Sequence, residues 1–131
     1  MAGVQEVAGV RVLTIYSDGA AIGSEQDATD LISQAWDQAA TLVAVPALRL
    51  APEFLDLSSG QAGAFIQKFV NYRIHLAVVG DLSAALARSR ALTDFVREAN
   101  RRRAVWFVAD LAALEQRLAG DAKRAGAAAG P

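Results

Sequence analysis

Three short runs decide most of what this chain can fold into. "TLVAVPAL" (41–48), "IHLAVVG" (74–80) and "AVWFVA" (104–109) are apolar at almost every position, and stretches of helical spacing separate each from the next. A short run that is apolar on both alternating faces fits a strand covered on both sides. Strands that alternate with helices at such close spacing run in one direction, and right-handed crossovers then demand a largely parallel sheet with helices packed against it. The 131 residues suffice for one domain. A chain of this size buries roughly two thirds of the surface its unfolded form exposes, so neither a disulfide nor a metal is needed to hold it together.

The remaining segments fill in this frame. "VQEV" (4–7), then Ala8-Gly9, then "VRVLTIYS" (10–17) reads as a hairpin leading into a strand. Ser24 and Asp27 have the spacing of a reciprocal capping pair. The helix they start carries Ala28, Leu31, Ile32, Ala35, Trp36 and Ala39 on one face. Pro46 limits the next strand, and Pro52 keeps the residues after it out of a helix. Ala62, Phe65, Ile66, Phe69 and Val70 form a second helical stripe, with Asn71 as a left-handed terminator. "DLSAALARSRALTDFVREANRRR" is helical in two phases that break near Ser89, and Asp110 caps a last helix through Leu111, Leu114 and Leu118. Trp36, Phe65 and Phe69 are expected in the core, whereas Trp106 is left open between the core and an exposed sheet face, through which self-association is a third possibility. The expectation is a single α/β domain over residues 1–118, a mainly parallel sheet of about four to five strands with about four helices. "GDAKRAGAAAGP" is aperiodic and leaves residues 119–131 as a flexible, frayed tail.

Composition narrows the chemistry. The chain has no cysteine, which removes thiol catalysis, disulfides and thiolate metal sites together. A net charge of -1 supplies no field for nucleic acid or anionic lipid, although Arg101, Arg102 and Arg103 make a local basic run. No basic leader and no long apolar span is present, so a cytoplasmic location and no membrane partner are expected. "GQAG" (60–63) lacks the dinucleotide spacing and there is no phosphate-loop motif, hence no cofactor is assigned.

Acids follow every strand: Asp18, Asp56, Asp81 and Asp110. Parallel strands deliver their carboxyl ends to one edge, the usual ligand edge of open α/β sheets, where converging carboxylates would make a cation-binding or acid/base rim. Aspartate is also a preferred helix cap, and no DxD spacing points to a metal. His75, the single histidine, sits near the start of its strand and so at the opposite edge from Ser58 and Asp81. No catalytic residue is assigned. Ser58 and Ser59, followed by Gly60 and a helical pattern, place two hydroxyls at a helix amino end, where they serve either as caps or as an anion or phosphate site.

The segments "FLDLSSGQAGAFIQKFVNYRIHLAVVGDLS" and "FVREANRRRAVWFVADLAALEQRL" resemble a family of small bacterial proteins known as domain of unknown function 4180. The resemblance spans about Val10 to Leu118 and is carried by Asp56, Gly60, Gly63, Gln67–Arg73, Val79–Asp81 and Asn100. It implies no activity. The order of elements also resembles the STAS fold, the sulfate-transporter and anti-sigma-factor-antagonist domain, in which a strand enters an Asp-Ser-Ser-Gly turn before a helix. Aligned on Gly60, Ser58 matches the serine that is phosphorylated in that group, with Leu57 in the place of the aspartate and Asp56 one position early.

The resulting expectation is a non-catalytic, STAS-like regulatory or interaction module. It would bind a protein partner or small molecule through Asp56, Ser58, Ser59, Gly60, Tyr72, Arg73 and Asp81, with a homodimer possible. The alternative is a small cofactor-free biosynthetic enzyme with an acidic pocket at the strand carboxyl ends, in which "NYR" (71–73) supplies amide, phenol and guanidinium.

Overall fold

The computed structural model describes residues 2–128, with side chains through Lys123. Strands β1 (Ala2–Val7) and β2 (Val10–Ile15) form the hairpin, joined by Ala8 and Gly9 at φ 49° and 81°. Two successive positive φ values match the twist of a two-residue hairpin turn. Helix α1 (Glu25–Asp37) begins as its capping pair predicts: the Asp27 amide donates to Ser24 Oγ at 3.0 Å, and the Ser24 amide donates to the Asp27 carboxylate at 3.0 Å. There follow β3 (Leu42–Pro46), a 3₁₀ turn at 47–49, α2 (Pro52–Leu55), a second 3₁₀ turn at 57–59 and α3 (Gln61–Asn71). The chain ends with β4 (His75–Val79), α4 (Ser83–Arg88), α5 (Arg90–Asn100), β5 (Val105–Val108) and α6 (Leu111–Ala128).

The five strands lie in the order β1-β2-β3-β4-β5. Strands β2 to β5 run parallel and β1 is antiparallel to β2. Because each crossover steps in the same direction along the sheet, right-handed connections send α1, α3 and α5 to one face. There Leu13, Val43, Val45, Leu76 and Val78 pack beneath Leu31, Ile32, Phe65, Phe69 and Ala99. The other face carries Val12, Leu42, Ala44, Ala77 and Trp106, which pack with Leu114 and Leu118 of α6.

Several expectations need correction. The sheet is mixed rather than mainly parallel, because the two-residue turn returns β1 against β2. Six α-helices replace the expected four or so. Pro52 starts α2 instead of preventing it, since proline at the first helical position gives up an amide that has no partner there. Ser89 divides α4 from α5 as expected; its backbone is extended and its hydroxyl accepts from the Leu92 amide. The left-handed residue after α3 is Arg73, φ 57°, and not Asn71, which still belongs to the helix. Trp36 is 54% exposed and meets Tyr72 edge-on at 5.1 Å, so it is not a core residue. Trp106 is only 2% exposed, and α6 already closes the sheet face that was expected to be open. Helix α6 continues through residues 119–128, where a frayed tail is expected; the end of that tail, 129–131, lies outside the described residues. Among the described residues no helix is long and apolar enough to cross a membrane.

Candidate functional site

The segment between β3 and α3 is built on two anchors. Phe54 of α2 is fully buried and meets Phe65 of α3 edge-on at 5.3 Å, which fixes the chain just before the serines. Ile22 and Leu50 pair through their backbones, with the Ile22 amide donating to Arg49 O and the Ala51 amide to Ile22 O.

Between those anchors and α3 lies the turn that the sequence singles out. The Asp56 carboxylate accepts from the Ser58 amide at 3.1 Å and from the Ser58 hydroxyl at 2.6 Å. The Ser59 hydroxyl donates to the carbonyls of Glu53 and Asp56 and also accepts from the Gln61 amide at 3.2 Å. Gly60 has φ 78°, a left-handed conformation that favours glycine and lets α3 start immediately afterwards. Asp56, Ser58, Ser59 and Gly60 therefore form one unit, and both hydroxyls serve the local turn.

Asp81 belongs to a different loop, at the carboxyl end of β4. Its carboxylate accepts from the Ser83 amide at 2.8 Å, and hydrogen bonds from the Ser83 hydroxyl and amide hold its pKa below the usual carboxylate value. Asp110 likewise accepts from the Ala113 amide at 2.8 Å. These acids act as separate caps, and no group of three or more metal-ligating side chains occurs among the described residues. Tyr72 and Arg73 lie at the end of α3, on the way into the amino end of β4, so the topology places them at the opposite edge from the Ser58 turn. His75 also lies at that edge, half-buried and edge-on to Trp106 at 6.0 Å. Burial, followed by the positive charge of Arg103, lowers its pKa, and Asp121 partly opposes them.

A groove of about 400 Å³ runs beside Asp56. One wall is Leu50, Pro52 and Leu55 with Asp56; the other is Ala85, Ser89 and Leu92 with Arg88. Its walls are mainly apolar and each carries one charge of opposite sign, a combination suited to recognition. Sequence reasoning missed α4 as a wall, because the six residues Ser83–Arg88 give a stripe too short to orient.

Arg49 was also missed. Its Nε donates to Ala20 O at 2.8 Å, and its Nη1 donates to Tyr16 O at 2.7 Å and to Asp18 O at 3.0 Å. One guanidinium thus fastens the loop after β2. Gly19 lies against it at φ 139°, and a Cβ there would sit 2.7 Å from Cζ.

The fold and site define a small α/β protein with a mixed five-stranded sheet, helices on both faces and a serine-bearing turn beside an open groove. The chain belongs to the DUF4180 family, a domain of unknown function, whose model matches residues 7–118. No curated protein and no solved structure matches it.

Proposed function

We propose that this chain is a non-catalytic, STAS-like binding module of the bacterial cytoplasm, with neither nucleic acid nor membrane as its target. Its partner, a protein segment or a small molecule, docks in the groove between α2 and α4 beside the Asp56–Gly60 turn. The observation that carries this reading is the juxtaposition of an open apolar groove, flanked by Asp56 and Arg88, with a serine hydroxyl bonded to that same Asp56. Phosphorylation of Ser58 would replace the hydroxyl-to-carboxylate bond by repulsion between two anions, which gives the turn a means to reshape the groove wall. The competing enzyme reading would draw on the same carboxylates, of which Oδ1 of Asp56 and of Asp81 each accepts from a nearby amide.

Arg88 lies on the groove but outside the turn, so Arg88→Glu tests the groove without disturbing the cap. Affinity capture from the parent cell's lysate is expected to retain a protein on the wild-type chain. Arg88→Glu and Ser58→Asp should each weaken that retention at least about tenfold, a difference of about 1.4 kcal/mol, with little change in thermal midpoint. Equal retention by all three proteins removes the reading, as does a wild-type chain that retains no protein and carries no bound small molecule in native-mass analysis. Intact-mass analysis of the protein from its own cells reports directly whether Ser58 is modified.

A further inference from the structure

A second concavity lies at the carboxyl edge of the sheet, on the face covered by α6. It has a volume of about 300 Å³, at the lower limit of small-molecule sites. The carboxyl ends of β2, β3 and β4 and the first turn of α6 enclose it. Along the end of β2 and the residues just after it, Thr14, Ile15, Tyr16 and Ser17 line it, three of them bearing hydroxyls. Its other sides are Ala44, Pro46, Val79 and Leu111, and no ionisable acid, lysine, arginine or histidine lines it.

Two independent features mark it as a built site. First, Tyr16 and Leu111 are large apolar side chains that remain 49% and 44% exposed on either side of it, although Val12, Leu42, Ala44, Ala77 and Trp106 on the same face are buried. Second, the Arg49 guanidinium holds the backbone of the adjoining loop at Tyr16, Asp18 and Ala20, so the wall beyond Ser17 is fixed before anything binds. Thr14 Oγ1 accepts from the Gln5 side chain at 3.2 Å and keeps its own proton to donate, and neither the Tyr16 phenol nor the Ser17 hydroxyl has a hydrogen-bond partner among the described residues.

We propose that this pocket binds an uncharged, largely apolar small molecule carrying a hydrogen-bonding group at one end. The apolar body lies on Ala44, Pro46, Val79 and Leu111, and the polar end meets the hydroxyls of Thr14, Tyr16 and Ser17. A charged ligand would lose hydration there without meeting an opposite charge. Arg49 is a positioning residue that acts through the 16–20 loop. The pocket shares no lining residue with the groove beside Asp56, and the proposal does not rest on that groove's role.

The test uses indole, a neutral ring with one donor, against tryptamine and indole-3-acetate, which carry the same ring with a positive or negative charge. Amide NMR titration of the full chain is expected to show saturable indole shifts confined to residues 14–17, 44, 45, 79 and 111, with both charged analogues at least about tenfold weaker, again about 1.4 kcal/mol. Leu111→Asp places a carboxylate in the pocket at a helix first turn, where an acid is tolerated, and should weaken indole by a similar factor. Ser17→Leu, which fills the polar end, should do the same, while Arg88→Glu should leave indole binding unchanged. Absence of saturation, shifts outside these residues, equal binding of the charged analogues, or indifference to both pocket variants overturns the proposal.

Discussion

Ser58 and Ser59 are adjacent and chemically identical, yet the turn gives them different partners. The Ser58 hydroxyl donates to the Asp56 carboxylate, whereas the Ser59 hydroxyl donates to backbone carbonyls and also accepts from the first amide of α3. Only Ser59 of the pair therefore bonds the amino end of that helix. At the other edge of the sheet, His75 shows how a single residue sets a pH dependence. Burial and Arg103 lower its pKa in the folded protein against the partial opposition of Asp121, so the unfolded chain binds the proton more readily. The stability this contributes is present above the unfolded value near 6.5 and is lost as pH falls from there through the lowered folded value. The thermal midpoint should accordingly fall between about pH 7 and pH 5, and His75→Gln should flatten that part of the curve. Equal slopes for the two proteins would refute the assignment. A separate loss below about pH 4 belongs to the carboxylates. For Asp27, burial works to raise the pKa, and the Gly23 and Ser24 amides, the Ser24 hydroxyl and Arg49 together outweigh it.

Among the elements, β5 poses the clearest problem, because an edge strand exposes unpaired amides and carbonyls that another chain can join. Asn100, the last residue of α5, answers it: its side chain accepts from the Phe107 amide at 2.7 Å and donates to Phe107 O at 3.2 Å, as a neighbouring strand would. Arg117 of α6 donates in turn to Asn100 O and lies over the Trp106 ring at 4.4 Å, so three elements meet at this edge. Asn100→Ala should cost about 1–3 kcal/mol and let the chain associate as concentration rises, read by thermal melts and sedimentation at two concentrations. A variant that is destabilised but stays monomeric at both would show that Asn100 supports the edge without guarding it. These elements also show what the sequence discloses. The Ser24–Asp27 cap was legible because both partners sit within one turn, and β3 and β4 because burial on both faces leaves an uninterrupted apolar run. Arg49 was not legible, since it acts across 29 to 33 residues and on carbonyls that every residue type provides. Trp36 shares the spacing of the buried α1 stripe, but periodicity does not say where that stripe reaches the rim of its neighbour. Asp56 and Gly60 were legible as turn chemistry; the groove beside them required the packing of α4, which no local pattern encodes.

At the scale of the whole molecule, the two faces of the sheet are unequally secured. Three crossover helices cover one face, and their attachment is topological, because each is tied at both ends to strands of the sheet. The other face depends on α6, which follows β5 and is anchored by Leu114 and Leu118, by Arg117 on Trp106 and by the Arg103–Asp121 ion pair at 2.8 Å. A layer held by such side-chain contacts opens at smaller free-energy cost than the strands beneath it, since its release need not break the sheet ladder. Native-state hydrogen exchange should therefore find the α6 amides protected less than those of β3 and β4. Leu118→Ala tests the anchorage: removing a buried leucine costs about 2–5 kcal/mol, and α6 exchange should speed by the corresponding factor, as should β3 exchange that proceeds through global unfolding. Protection of the α6 amides equal to that of β3 in the unsubstituted chain would mean that the two faces unfold as one cooperative unit. The outcome also bears on the carboxyl-edge pocket, because Leu111 forms one of its walls from the first turn of this helix. If α6 is the weaker layer, a ligand held against Leu111 binds the closed form in preference to the open one. It should then slow α6 exchange by a factor set by its free concentration relative to its Kd, and slow by the same factor any β3 exchange that requires release of the ligand.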